Sequence, residues 1–219
     1  MKGYVITIQS VPQSVQAAER CIKSAARNDV EVEMFAATTP ADNPANYLEE
    51  RGVPTSGFRE VYSRFDNCVA AFTSHYRLWE KSYNEKETLL VLEHDAYFID
   101  QIPNVTFADI LSFGHPSYGS WKTPPNLGKN TLVSKQYLPG AHAYAVTPRG
   151  AGKLLEAAKT CAGPTDIFIS NKNFDCVEEY YPWPVEAKDS FSTIQSERGI
   201  AAKHQYQKLG DRYELLGVK

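Results

Sequence analysis

No apolar run in this 219-residue chain approaches the roughly 18 residues that a membrane-spanning helix needs. Nor is there a C-x-x-C pair. The four cysteines, Cys21, Cys68, Cys161 and Cys176, are too scattered for a zinc site or a disulfide frame and read as reduced thiols of a cytosolic protein. Basic residues are not in excess: 23 Lys and Arg against 26 Asp and Glu give a net charge of −3. That excludes nucleic acid as the main partner, because neutralising phosphates takes a basic surface. A glycine-rich phosphate loop, internal repeats and low-complexity tracts are also missing. Met1-Lys2-Gly3-Tyr4 leads straight into a strand-like run, which predicts no signal peptide. With 42% hydrophobic and 22% charged residues, the composition supports a packed core rather than disorder.

The order of elements predicts an α/β protein. The run from Gly3 to Ile8 is rich in β-formers. Ser14 is placed to cap a helix whose apolar positions are Val15, Ala18, Ile22 and Ala25. Val30 to Ala36 then alternates apolar and polar, completing a βαβ unit and hence a parallel, right-handed crossover. Val69, Phe72, Tyr76, Trp79 and Tyr83 form one stripe of a surface helix. Further strands are predicted at 108–113 and 140–146, separated by a Gly/Pro-rich loop at 114–130. Thr147-Pro148 supplies an N-cap and an N1 proline to a helix carrying Ala151, Leu154, Leu155 and Ala158. Asp166 opens a short helical segment, and a strand-like run broken by Pro182 and Pro184 follows. The expected architecture is one domain over 1–195, with a mixed, mostly parallel Rossmann-like sheet. A polar C-terminal tail over 196–219 is expected to wrap the surface or fray.

The stretch Leu89-Leu90-Val91-Leu92-Glu93-His94-Asp95 carries the chemistry. A short apolar run bounded by polar residues reads as a strand buried on both faces. Ligands of open α/β sheets bind beyond the carboxyl ends of such strands. Spacing of i, i+2 directs Glu93 and Asp95 to one face, where a divalent Mn²⁺ or Mg²⁺ would offset two convergent carboxylates. Asp95 is the expected direct ligand, and Glu93 binds through water or orients the substrate. The plainer alternative is a strand ending in a solvated acidic turn. His94 is expected to point the other way.

Four blocks resemble family 25 glycosyltransferases, the lipooligosaccharide and collagen galactosyltransferase family. Ser74-His75-Tyr76-Arg77-Leu78-Trp79-Glu80 resembles its Ser-His-x-x-x-Trp-Glu helix, and Leu92-Glu93-His94-Asp95 its Leu-Glu-Asp-Asp motif. Gly140 to Ala151 resembles its Gly-Thr-x-Ala-Tyr block, and Pro164-Thr165-Asp166 its Pro-x-Asp. The blocks span residues 66–170. His94 replaces an Asp, Ala71 replaces the usual cysteine, and the arginines that follow the first strand in the family are absent. The resemblance implies a GT-A fold and inverting transfer of a hexose from a nucleotide-sugar donor, a UDP-sugar being favoured, to a glycan or other hydroxyl acceptor.

It also implies roles. Thr7, Thr38, Ser74, His75, Glu93 and His94 would bind the donor, Gly140 and His142 would face the acceptor, and Asp95 and Glu93 would hold the metal. Asp166 would be the general base that takes the acceptor proton; the alternative is a helix cap or dipole partner. His75 and His142 have packed, structural alternatives, and the loop aromatics Tyr118, Trp121 and Trp183 either stack on sugars or anchor loops. Two other functions stay open at this stage: a catalytically silent sugar-nucleotide or glycan-binding relative, and a metal-dependent nucleotidyltransferase or phosphohydrolase.

Overall fold

In the computed structural model, residues 1–138, 141–188, 190–207 and 213–218 are described. The opening βαβ unit forms as its periodicity predicts. Strand β1 (Lys2–Thr7) pairs in parallel with β2 (Val32–Ala36), joined by α1 (Pro12–Ala26). Ser14 is not the cap. Val11 occupies that position, and the Ser14 hydroxyl, inside the first turn, accepts the backbone N–H of Ile8 at 2.9 Å. The buried stripe of α1 is correspondingly one of small residues, Ala17, Ala18, Cys21, Ser24 and Ala25, which lets the helix lie close on the sheet.

After α2 (Pro44–Glu49), the long α3 (Phe65–Glu85) buries Phe72, Tyr76, Leu78 and Trp79 and feeds β3 (Leu89–Glu93). Strand β3 pairs in parallel with β1, so β2-β1-β3 form the parallel half of a seven-stranded sheet. The remaining elements are β4 (Ala96–Phe98), β5 (Ile110–Ser112), β6 (Gly128–Thr131), β7 (Ala143–Val146), α4 (Pro148–Cys161), α5 (Thr165–Phe168) and β8 (Val177–Tyr181). The sheet order is β2-β1-β3-β7-β5-β8-β6. Strands β1, β2, β3, β5 and β8 run one way, and β7 and β6 the other. The fold is thus a mixed, mostly parallel, Rossmann-like α/β sheet.

Two cores cover its faces. Tyr4, Val91, Tyr144 and Ile110 pack with α3 and α4 on one side, and Val5, Leu90, Leu92 and Ala145 pack with α1 on the other. The α4 cap is as expected, the Thr147 hydroxyl accepting Gly150 N–H at 3.1 Å. Strand β9 (Val185–Ala187) pairs with β4 outside the main sheet. The polar tail expected to wrap the surface or fray contains α6 (Glu197–Gln207) and β11 (Glu214–Leu215), and β11 pairs in parallel with β10 (Phe191–Ser192). Its polarity is that of short, solvent-facing elements laid over the domain. No described helix is long and apolar enough to cross a membrane.

Candidate functional site

The strand order reverses direction at β1. The chain leaves β1 through α1 to β2 on one side, then returns through α2 and α3 to β3 on the other. The carboxyl ends of these three strands splay around a cleft, as open α/β sheets require at such a point. It is lined by Ile6 and Ile8 at the end of β1, Thr38 and Thr39 after β2, Ser74 and His75 of α3, and Glu93 and His94 at the end of β3. The cleft holds about 60 Å³, and Pro40 joins it to an open hollow of about 500 Å³ lined by Asn43, Asn46, Glu49 and Asp66.

Ser74 fixes one edge. Its hydroxyl accepts Thr38 N–H at 2.9 Å and donates to Ala70 O at 3.0 Å, while Arg77 donates to the Thr38 hydroxyl at 3.1 Å. Behind Glu93 lies a chain of buried polar groups. The Trp79 indole N–H donates to the Tyr144 oxygen at 2.8 Å, and that hydroxyl lies 3.0 Å from His75 Nδ1. An indole N–H can only donate, so Tyr144 has its own proton free to give to Nδ1. This arrangement puts the single proton of a neutral His75 on Nε2, which faces Glu93 Oε1 at 3.4 Å. His75 is neutral because burial pushes its pKa down to about 3, outweighing the carboxylate in front of it. Every hydrogen in the relay then points toward Glu93.

Five of the six expected donor-side residues, Thr38, Ser74, His75, Glu93 and His94, therefore line one cleft. Thr7 does not. Its side chain is wholly buried and donates to Val5 O at 3.0 Å, while its neighbours Ile6 and Ile8 face the cleft. The shared face expected for Glu93 and Asp95 also fails, because β3 ends at Glu93 and residues 94–95 form a turn. Glu93 meets His75 of α3, whereas Asp95 is a charged neighbour of Cys21 on α1, whose thiol burial and Asp95 together push up to about 12. Asp95 Oδ1 is enclosed without a hydrogen-bond partner among the described residues, an atom that a cation would satisfy. Even so, no group of three or more His, Cys, Asp or Glu among the described residues is arranged to hold a metal, so these donors do not fit a chelating site as they stand.

His94 sits 3.1 Å from the Ser14 hydroxyl and stacks on Phe191. Gly140 lies outside the described residues. His142 is 2% exposed against Gly114, where a Cβ would come within 2.6 Å of its Nε2; its backbone carbonyl accepts Glu93 N–H at 3.1 Å. It is packed at the start of β7.

Asp166 heads α5, and its carboxylate accepts the Tyr118 hydroxyl. Burial, then Asp166, with Glu93 contributing, raises the Tyr118 pKa well above its usual range, so this phenol stays protonated and a donor. Lys135 donates to Tyr118 O at 2.5 Å and faces the Tyr118 and Tyr137 rings at 5.0 and 5.2 Å. Tyr118 is thus hydrogen-bonded to Asp166 and lies within the electrostatic influence of Glu93. Trp183 is a buried loop anchor, donating to Glu179 at 3.2 Å and packing on His115; Trp121, on the other side of His115, is 42% exposed. Sequence reasoning assigned no role to Tyr144 or Lys135. The signal for Tyr144 was its alternation with Ala143 and Ala145, which sends it to the α3 face.

No family model and no curated protein matches the chain. Among solved structures it is similar to the CTP:phosphocholine cytidylyltransferase of Streptococcus pneumoniae, at 13% identity and TM-score 0.40, over 84% of this chain and 91% of that one. The expectation of hexosyl transfer is corrected here. No match supports it, and the similar structure is that of an enzyme named for cytidylyl transfer. A likeness of that degree assigns no activity to this chain.

Proposed function

We propose that the chain is a nucleotide-dependent transferase that holds a nucleoside phosphate across the carboxyl ends of β1, β2 and β3. The observation that carries this reading is the cleft at the reversal of strand order, with polar groups converging from three strand ends and one helix. The sequence blocks resembling family 25 glycosyltransferases contribute Ser74 and His75, Glu93 and His94, and Tyr144 to this one place, which supports a nucleotide-linked ligand. Glu93, oriented by the neutral His75, is an acceptor suited to ribose hydroxyls. Thr38 and Thr39 offer hydroxyls on the facing side. Asp166 is the base for the second substrate, with Tyr118 screening its carboxylate until that substrate replaces the phenol.

The test is a thermal-shift panel of nucleoside mono-, di- and triphosphates and nucleotide-linked sugars, with and without Mn²⁺ or Mg²⁺. A ligand of the native state raises stability as RT ln(1 + [L]/Kd). At least one nucleotide should shift the wild type, Glu93→Ala should lose the shift, and Asp166→Asn should keep it. Pyrophosphate release from a bound triphosphate would identify nucleotidyl transfer as the reaction. A panel with no shift under any condition would sink the proposal.

A further inference from the structure

Thr193, Ile194 and Val218 also line the cleft, and Phe191 lies on the His94 ring at 5.1 Å between centroids with 17° between planes. Residues 191–194 and 214–218 therefore form a strap over the strand ends. The room left beneath it is about 60 Å³, against roughly 300–1,000 Å³ for a small-molecule site. A nucleoside phosphate does not fit there while the strap is seated.

Ser192 and Thr193 are buried and Ile194 packs on the core, so the lightly held half of the strap is 214–218. Strands β10 and β11 are two residues each, joined through Glu214 N–H to Ser190 O at 3.0 Å and Leu216 N–H to Ser192 O at 2.8 Å. Glu214 and Leu215 are exposed, and Leu216 and Val218 only half-buried. Arg64, at the head of α3, is the latch: its guanidinium donates to Thr193 O and to Leu216 O (2.6 Å), and its backbone N–H to Ile194 O at 2.8 Å. Among the described residues no carboxylate offsets the burial of Arg64, and its Nε is enclosed without an acceptor. A two-residue strand, exposed side chains and an imperfectly satisfied latch mark 214–218 as a segment that opens locally at small cost.

We infer that this strap is an intramolecular competitor for the cleft: it fills the nucleotide's space when seated, is latched by Arg64, and is displaced when nucleotide binds. The inference rests on the nucleotide reading above. When only a fraction of molecules is open, the apparent Kd is the intrinsic one divided by that fraction, so weakening the strap tightens binding.

The experiment measures amide exchange at Glu214 and Leu216 and the affinities for UDP, CDP, ADP and GDP, in the wild type and in Phe191→Ala. Nucleotide should speed exchange at both amides, and Phe191→Ala should bind several-fold more tightly. Slower exchange with nucleotide, or equal or weaker binding by Phe191→Ala, would overturn the inference by making the strap a closing wall instead. A second arm needs no nucleotide. Diethylpyrocarbonate should modify His94 several-fold faster in Arg64→Ala and in Phe191→Ala, both still melting cooperatively; an unchanged rate in both would show that the strap does not cover the cleft. If no nucleotide binds either protein while His94 modification accelerates, the nucleotide reading has failed and the strap remains a cover. Binding by both proteins, tighter in Phe191→Ala, supports both.

Discussion

Beneath the cleft, His75, Trp79 and Tyr144 are at most 2% exposed, and their polar atoms form one directed chain. Above it, Phe191, Leu216 and Val218 are half-buried, in or just beyond strands of two residues. The contrast separates two jobs. A satisfied buried polar network rigidifies what it supports, so the floor can fix where Glu93 points. A loosely held roof can exchange with a ligand, because its opening free energy is a small part of the global stability. Rigid positioning and access are thus assigned to different parts of the chain rather than traded against each other in one.

The largest test of that contrast is Trp79→Ala against Phe191→Ala. Trp79 packs on Phe72, Tyr76 and Phe168 with ring centroids 5.4 to 6.1 Å apart. Its truncation should cost about 3–5 kcal/mol in urea unfolding, the range for large buried aromatics. Phe191→Ala should cost less than about 1 kcal/mol, as expected near the surface. Similar losses at both sites would abolish the distinction between floor and roof.

A smaller effect is expected with pH. Folded His75 titrates near 3 against an ordinary 6.5, so between those values the unfolded chain binds more protons than the native one. Its contribution is complete above pH 6.5 and is lost as pH falls toward 3. The slope is at most about 1.4 kcal/mol per pH unit, and Glu93 in front of the ring makes it less. Urea midpoints measured across this window should fall more steeply for the wild type than for His75→Gln. Parallel profiles would mean that His75 is not buried in its neutral form.

Much of the floor was legible in the sequence because it is built from local periodicity. The stripe through Phe72, Tyr76 and Trp79 announced α3, and the apolar run before Glu93 announced β3. Of the α3 residues that line the cleft, Ser74 and His75 were found through a motif resemblance, whereas Asn67, Ala70 and Ala71 were not. What stayed hidden depends on pairings distant in sequence. Nothing local says that β7 inserts antiparallel between β3 and β5, yet that insertion brings Tyr144 to His75. The strand stops two residues short of Asp95, and the turn at 94–95 breaks the expected alternation, which is why Glu93 and Asp95 part company. The roof was least legible of all. A polar stretch with two-residue strands carries no period, and its docking depends on Arg64, about 130 residues earlier in the chain.

The central claim is the location of the nucleotide, and backbone amide shift mapping with a nucleotide from the binding panel tests it most directly. Perturbations should concentrate at Ile6, Ile8, Thr38, Thr39, Ser74, Glu93 and His94, with the sheet edge at Gly128–Thr131 unchanged. Perturbations confined to that edge, or none at the three strand ends under saturating nucleotide, would contradict the account.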